Sequence, residues 1–176
     1  QKYRLRGDYF RVGYHGRRRS KGSRLWVSAG ETSRQLSTTT EIKTGTMTKV
    51  NLNADMGEGF GAYDIGDDAA MLDLVSSANV ACGFHAGDPN VMRRVIKAAV
   101  DRGVSVGAHP GFNDLPGFGR RRIDMAMPDI EAMVAYQIGA LQGMAAAGGT
   151  KVTHVKPHGA LNNMASEQDD VASAIA

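Results

Sequence analysis

Residues able to move protons or bind metal recur beside glycine and proline through the second part of this chain. They are Asp55 and Glu58 in Asn53-Ala-Asp-Met-Gly-Glu-Gly-Phe-Gly61, His85 in Phe84-His-Ala-Gly87, His109 in Ala108-His-Pro-Gly111 and His158 in Pro157-His-Gly-Ala160. Imidazole changes charge near neutrality and is the commonest metal ligand, and carboxylates complete acid–base pairs or ligand sets. Neighbouring glycine and proline let backbone approach a ligand and hold the side chain at a fixed angle. One such histidine alone reads as a turn residue satisfied by a carbonyl; three in the same setting read as one site. Lys156 adds a cation suited to a carboxylate or phosphate oxygen, and Asn53 shares a side of an extended strand with Asp55. The expected catalytic set is therefore Asp55, Glu58, His85, His109 and His158, with Asn53 and Lys156 binding substrate or phosphate. Asp55, His85 and His109 are the expected ligands should a divalent metal be used.

Other groups read differently. Asp55 taken alone could simply cap backbone amides of a strand-to-helix turn. Asp88 before Pro89 reads as a helix cap, Cys82 inside a strand as a packing thiol, and Arg120-Arg121-Arg122 as a solvated loop. The Gly57-x-Gly59-x-Gly61 spacing is not the dinucleotide fingerprint, whose third glycine falls elsewhere.

The elements that must position these residues alternate. Lys49–Asp55, Asn79–Phe84, Val104–Ala108 and Val152–Pro157 read as strands. Between them Asp67–Ser77 carries a stripe of Ala70, Met71, Leu74 and Val75, and a helix opened by Asp88-Pro89 carries Val91, Val95, Ile96 and Ala99 until Gly103. A long helix from about Pro128 to Ala147 precedes Gly148-Gly149, and another begins near Gln168. Each strand thus ends close to Asp55, His85, His109 or His158. In parallel α/β folds such ends converge on one face, whether the sheet is open or curled into a barrel. Four units are half of an eight-stranded barrel, which needs about 250 residues, so the chain is expected to be truncated.

The net charge of +3 hides two unlike parts: residues 1–46 hold 11 Lys and Arg against 3 acids, whereas 47–176 hold 10 against 15. The first part shows neither strand nor helix periodicity, and is expected to be a disordered basic leader outside the native protein, which would start at Met47. Its charge lies on no predicted face, which argues against nucleic acid as a partner. No run of about 18 apolar residues is present to span a membrane. A single cysteine excludes a disulfide framework within the chain, so a reducing cytoplasm is the expected location.

Four blocks carry a resemblance: Asn-x-Asp-x-Gly-Glu-Gly-Phe-Gly at 53–61, Asn-Val-Ala-Cys-Gly-Phe-His-Ala-Gly-Asp-Pro at 79–89, Gly-Ala-His-Pro-Gly-Phe at 107–112 and Val-Lys-Pro-His-Gly-Ala-Leu-Asn at 155–162. In this order and spacing they resemble the LamB/YcsF family over 47–176 and not over 1–46. The resemblance implies a parallel (β/α) barrel of the glycoside hydrolase and deacetylase type, here its N-terminal half of about four βα units. It implies a role as one subunit of an enzyme that opens 5-oxo-L-proline to L-glutamate with ATP hydrolysis, beside two further subunits resembling allophanate hydrolase components. Two alternatives stay open: a metal-dependent, deacetylase-like carbohydrate or amide hydrolase, and a non-catalytic subunit that binds a small ligand.

Overall fold

The structure, a computed structural model, describes residues 50–176. The basic leader expected over 1–46 lies outside the described residues. Four parallel strands, β1 (Asn53–Met56), β2 (Ser77–Ala81), β3 (Ser105–His109) and β4 (Val152–Val155), pair in the order β1-β2-β3-β4. The helices are α1 (Asp68–Leu72), α2 (Pro89–Asp101), α3 (Met127–Ala147), α4 (Gly159–Glu167) and α5 (Asp169–Ile175). No helix among the described residues is long and apolar enough to cross a membrane.

Parallel pairing needs a crossover between consecutive strands, and α1, α2 and α3 each lie within one. Side chains alternate across a strand, so the register sorts the sheet into two unlike faces. Ala54, Met56, Ala78, Val80, Val106 and Ala108 form one face and pack with Val91, Val95, Ile96 and Ala99 of α2 and Leu141 of α3. The other face sets Asp55 opposite Asn79 and Asn79 opposite Gly107. An apolar face under helices and a polar face turned the other way is the layout of an arc of a (β/α) barrel, and the described residues leave the ring open between β1 and β4. A second core joins Phe112, Ile130, Met133 and Val134 to Leu161, Met164 and Val171 across α3, α4 and α5.

Three expectations need correcting. The helix expected over 67–77 ends at Leu72, and Leu72, not the proposed stripe, is its buried residue; Met71 and Leu74 are exposed. The chain leaves the helix because Ser76 and Ser77 donate to Leu52 O, which draws it into the sheet. The second strand stops at Ala81 rather than Phe84, since Gly83 has φ +94° and donates to Ala86 O in a turn. The single helix expected from Gln168 is preceded by α4, which the sequence reading missed.

Candidate active site

Each candidate side chain leaves the sheet at its C-terminal edge. Asp55 lies within β1 and Glu58 on the turn after it; His109 ends β3; His85 and His158 sit on the loops after β2 and β4. The loop after β3 folds back over them. Gly119 there has φ +61°, and a Cβ on it would come within 2.6 Å of His85 Cβ, so only glycine lets the loop cover the imidazoles. His85 and His109 are fully buried and His158 nearly so. The His85 and His158 rings stack at 3.8 Å, and the Phe118 ring meets both edge-on.

Hydrogen bonding fixes which ring nitrogens are free. His109 Nδ1 lies 2.6 Å from Lys156 O, and His158 Nε2 lies 2.8 Å from Phe118 O. A backbone carbonyl only accepts, so these two nitrogens carry the protons. In neutral rings the remaining nitrogens, His109 Nε2 and His158 Nδ1, both present lone pairs, yet they face each other at 2.9 Å. Glu58 Oε1 joins them, 3.5 Å from His158 Nδ1, 4.0 Å from His109 Nε2 and 3.5 Å from His85 Nε2. That oxygen and both nitrogens of His85 are buried without a hydrogen-bond partner. Burial pushes His85 below the ordinary histidine range and His158 down to about 4, which favours the neutral, ligating form.

Such a convergence of lone pairs around a carboxylate is a donor set that could hold a cation. Glu58, His85, His109 and His158 offer one atom each, all within 4.8 Å of one another. Donors bound to one transition metal at about 2.1 Å stand roughly 3–3.5 Å apart, near the spacing seen here. Three imidazoles and a carboxylate suit a transition metal such as zinc better than magnesium or calcium. The carbonyls of Lys156 and Phe118 supply the outer partners that orient ligating histidines.

Asp55 stands beside this cluster. Its carboxylate takes Lys156 Nζ at 2.6 and 2.7 Å, accepts from Asn79 Nδ2 at 2.9 Å and lies 3.4 Å from His109 Nε2. Burial alone would raise its pKa, but the Lys156 ammonium, joined by His109 whenever that ring is protonated, outweighs it and holds Asp55 well below the usual carboxylate range. The result is an ionised acid and a lysine at the edge of a histidine-lined recess.

The profile described as the LamB/YcsF family matches residues 50–176. The chain belongs to the LamB/YcsF family. Among curated relatives, the second 5-oxoprolinase A-subunit of Bradyrhizobium diazoefficiens is 63% identical over 131 residues, covering 74% of this chain and 51% of the relative. The 5-oxoprolinase A-subunit of Rhodopseudomonas palustris is 59% identical over 129 residues, covering 73% of this chain and 51% of its own. The solved lactam utilization protein of Thermus thermophilus is 50% identical with a TM-score of 0.72, covering 73% of this chain and 52% of that one. The chain thus spans about half the length of the curated relatives it matches.

All four blocks that resemble the LamB/YcsF family meet at this rim. The structure gathers Glu58, His85, His109 and His158 and places Asp55 and Lys156 against them; Asn53 is exposed and reaches them only through Asn79, at 3.3 Å. Of the proposed ligands Asp55, His85 and His109, the two histidines lie in the cluster, while Asp55 is engaged by Lys156 and Glu58 supplies the clustered carboxylate. Arg121 pairs with Asp114, Arg122 with Asp124 and Glu167, and Arg120 lies over the Phe118 ring at 5.5 Å. Asp88 caps α2, and the buried Cys82 thiol is pushed up to about 12, too high for a nucleophile. The sequence reading missed Asn79, Gln137 and His154. For His154 and Asn79 the signal was available in principle: polar residues within strands, Asn79 between Ala78 and Val80 and His154 between Thr153 and Val155.

Proposed function

We propose that this chain supplies the N-terminal strands and the histidine-lined site of a 5-oxoprolinase subunit, which opens the lactam of 5-oxo-L-proline to L-glutamate with ATP hydrolysis, assembled with two partner subunits. The carrying observation is the meeting of Glu58, His85, His109 and His158 beside the Asp55–Lys156 pair at one sheet edge. The names of the relatives support the substrate, a lactam whose hydrolysis needs both an activated amide and a placed water.

A resonance-stabilised five-membered amide resists water; transfer of the γ-phosphoryl group of ATP to its oxygen would make the ring carbon electrophilic, so that water adds there, the C–N bond breaks with the nitrogen leaving as the amine, and the resulting acyl phosphate is hydrolysed to carboxylate and phosphate. A divalent metal held by Glu58, His85, His109 and His158 would supply Lewis acidity there and ease removal of a proton from water. Asp55, kept ionised, accepts a hydrogen bond from the attacking water and orients it toward the ring carbon. Lys156 faces the same space and offers positive charge to the phosphoryl oxygens carried on the activated amide. The loop carrying Phe118 and Gly119 covers the imidazoles and keeps bulk water from their free nitrogens.

Turnover of 5-oxoproline by the complete protein assembled with its partners tests this reading. Asp55→Asn and His85→Ala are each expected to lower kcat at least 100-fold, and wild-type turnover in both would end the assignment. The buried metal-type donor set also favours a second reading, a deacetylase-like amide hydrolase needing no ATP. Release of product from an amide or N-acetyl sugar substrate by the zinc-loaded protein without ATP would decide for it.

A further inference from the structure

We infer that His154, a histidine outside the cluster, is a positioning residue that acts through Asn79 to aim Asp55. This rests on the reading of Asp55 proposed above. Asp55 Oδ1 accepts only, so the atom of Asn79 facing it at 2.9 Å must be the amide nitrogen, which also donates to Asn53 Oδ1 at 3.3 Å. Asn79 Oδ1 is thereby turned to His154 Nε2 at 2.9 Å, and that nitrogen must donate, which leaves Nδ1 to accept the single hydroxyl proton of Thr153 at 2.9 Å in place of Val106 O at 3.1 Å. Asn79 is fully buried, so an amide turned the other way would place its oxygen against the carboxylate with no water to relieve it. Donation from His154 satisfies the amide oxygen and, with the two acceptors on Nδ2, holds the amide in this orientation.

The backbone is shaped for this contact. Val106 pairs with Val152 but Ala108 with Val155, so β4 carries one residue more than β3 over the same stretch. Such a bulge re-aims a side chain, and here it sends the His154 ring across β3 to reach Asn79 on β2. The ring passes directly over Gly107, where any Cβ would collide with it. Bulge, glycine and histidine together form a line from β4 through Asn79 to Asp55 and Lys156, next to the cluster but sharing no ligand with it.

Two substitutions separate the hydrogen bond from packing in the complete, assembled enzyme. His154→Phe keeps a ring over Gly107 and removes the donor; kcat should fall about 10- to 100-fold with KM within about threefold, as a misaimed group does. His154→Gln, whose amide nitrogen can take the place of Nε2, should restore kcat to within about fivefold of wild type. Once Asn79 is changed to Ala, the further change His154→Phe should cost nothing more. Wild-type kcat in His154→Phe, no recovery in a folded His154→Gln, or additive losses with Asn79→Ala would each overturn the inference. Should His154→Phe fail to fold, Gly107→Ala displaces the native ring and carries the same expectation, with wild-type kcat overturning it. Asp55→Asn is run alongside: if it too is fully active the underlying reading of Asp55 has failed, whereas an inactive Asp55→Asn beside an active His154→Phe sinks only the role of His154.

Discussion

Gln137 is the buried polar residue of α3, and its replacement by leucine should reveal how the loop after β3 is held. Its side chain clamps one backbone unit: Gly111 N donates to Oε1 at 3.0 Å, and Nε2 donates to Gly111 O at 2.9 Å. A third bond, to Met133 O at 3.2 Å, matters less because that carbonyl already accepts within the helix. Gln137→Leu leaves both Gly111 groups buried without partners, at about 1–3 kcal/mol each. Burial of the more apolar leucine offsets part of that, so a net loss of about 2–4 kcal/mol is expected, a large share of the roughly 5–15 kcal/mol typical of a domain. The same substitution at Gln142, exposed on the same helix, should stay within about 0.5 kcal/mol. Urea unfolding followed by circular dichroism compares the two, with the m-value expected to be unchanged. Equal midpoints would refute the accounting, and with it the idea that the clamp holds Gly111 against the His85 ring.

The remaining predictions concern the cluster and the thiol. Glu58→Gln keeps the shape of the side chain and removes its charge, so zinc affinity measured against a chelating dye should fall at least tenfold; an unchanged affinity removes Glu58 from the ligand set. For the metal-free protein, burial lowers the folded-state pKa of His85 and takes that of His158 to about 4, while the unfolded value is about 6.5. The unfolded chain therefore binds more protons below about pH 6.5, and stability should drop as pH falls from there toward 4, by at most about 1.4 kcal/mol per unit for each histidine. Flat stability across that window, measured by urea midpoints, contradicts the buried neutral rings. Cys82 should resist iodoacetamide at pH 8 in the native protein and react once it unfolds, because its thiol is buried and held near 12.

How far the sequence could be read follows from what each inference needed. The four strands and their parallel order rest on hydrophobic alternation and glycine punctuation, both local signals, and α2 was legible down to its Asp88 cap and Pro89. The first helix was overdrawn because Leu74 and Val75 continue an apolar pattern past the point where Ser76 and Ser77 bind Leu52 O, a contact no local pattern reports. α4 was missed because Gly159 and the Asn162-Asn163 pair are poor helix formers, and packing of Leu161 and Met164 against α3 and α5 overrides them.

The site divides in the same way. That Asp55, His85, His109 and His158 share a rim follows from strand ends, which the sequence marks. Which of them can bind one ion depends instead on the atoms left free. His109 and His158 point lone pairs inward because Lys156 O and Phe118 O occupy their other nitrogens, and Asp55 is turned aside because Lys156 holds both its oxygens. Those partners come from backbone carbonyls and from a residue 101 positions away, so composition and spacing cannot rank Asp55 against Glu58 as a ligand. The side of the sheet that His154 occupies is subtler still. Regular pairing from Val106 with Val152 would set Gly107 opposite Thr153, and the single extra residue in β4 instead carries His154 across Gly107 to Asn79. One inserted residue reverses which side chains of a strand face the site, and only the register of the neighbouring strand reveals it.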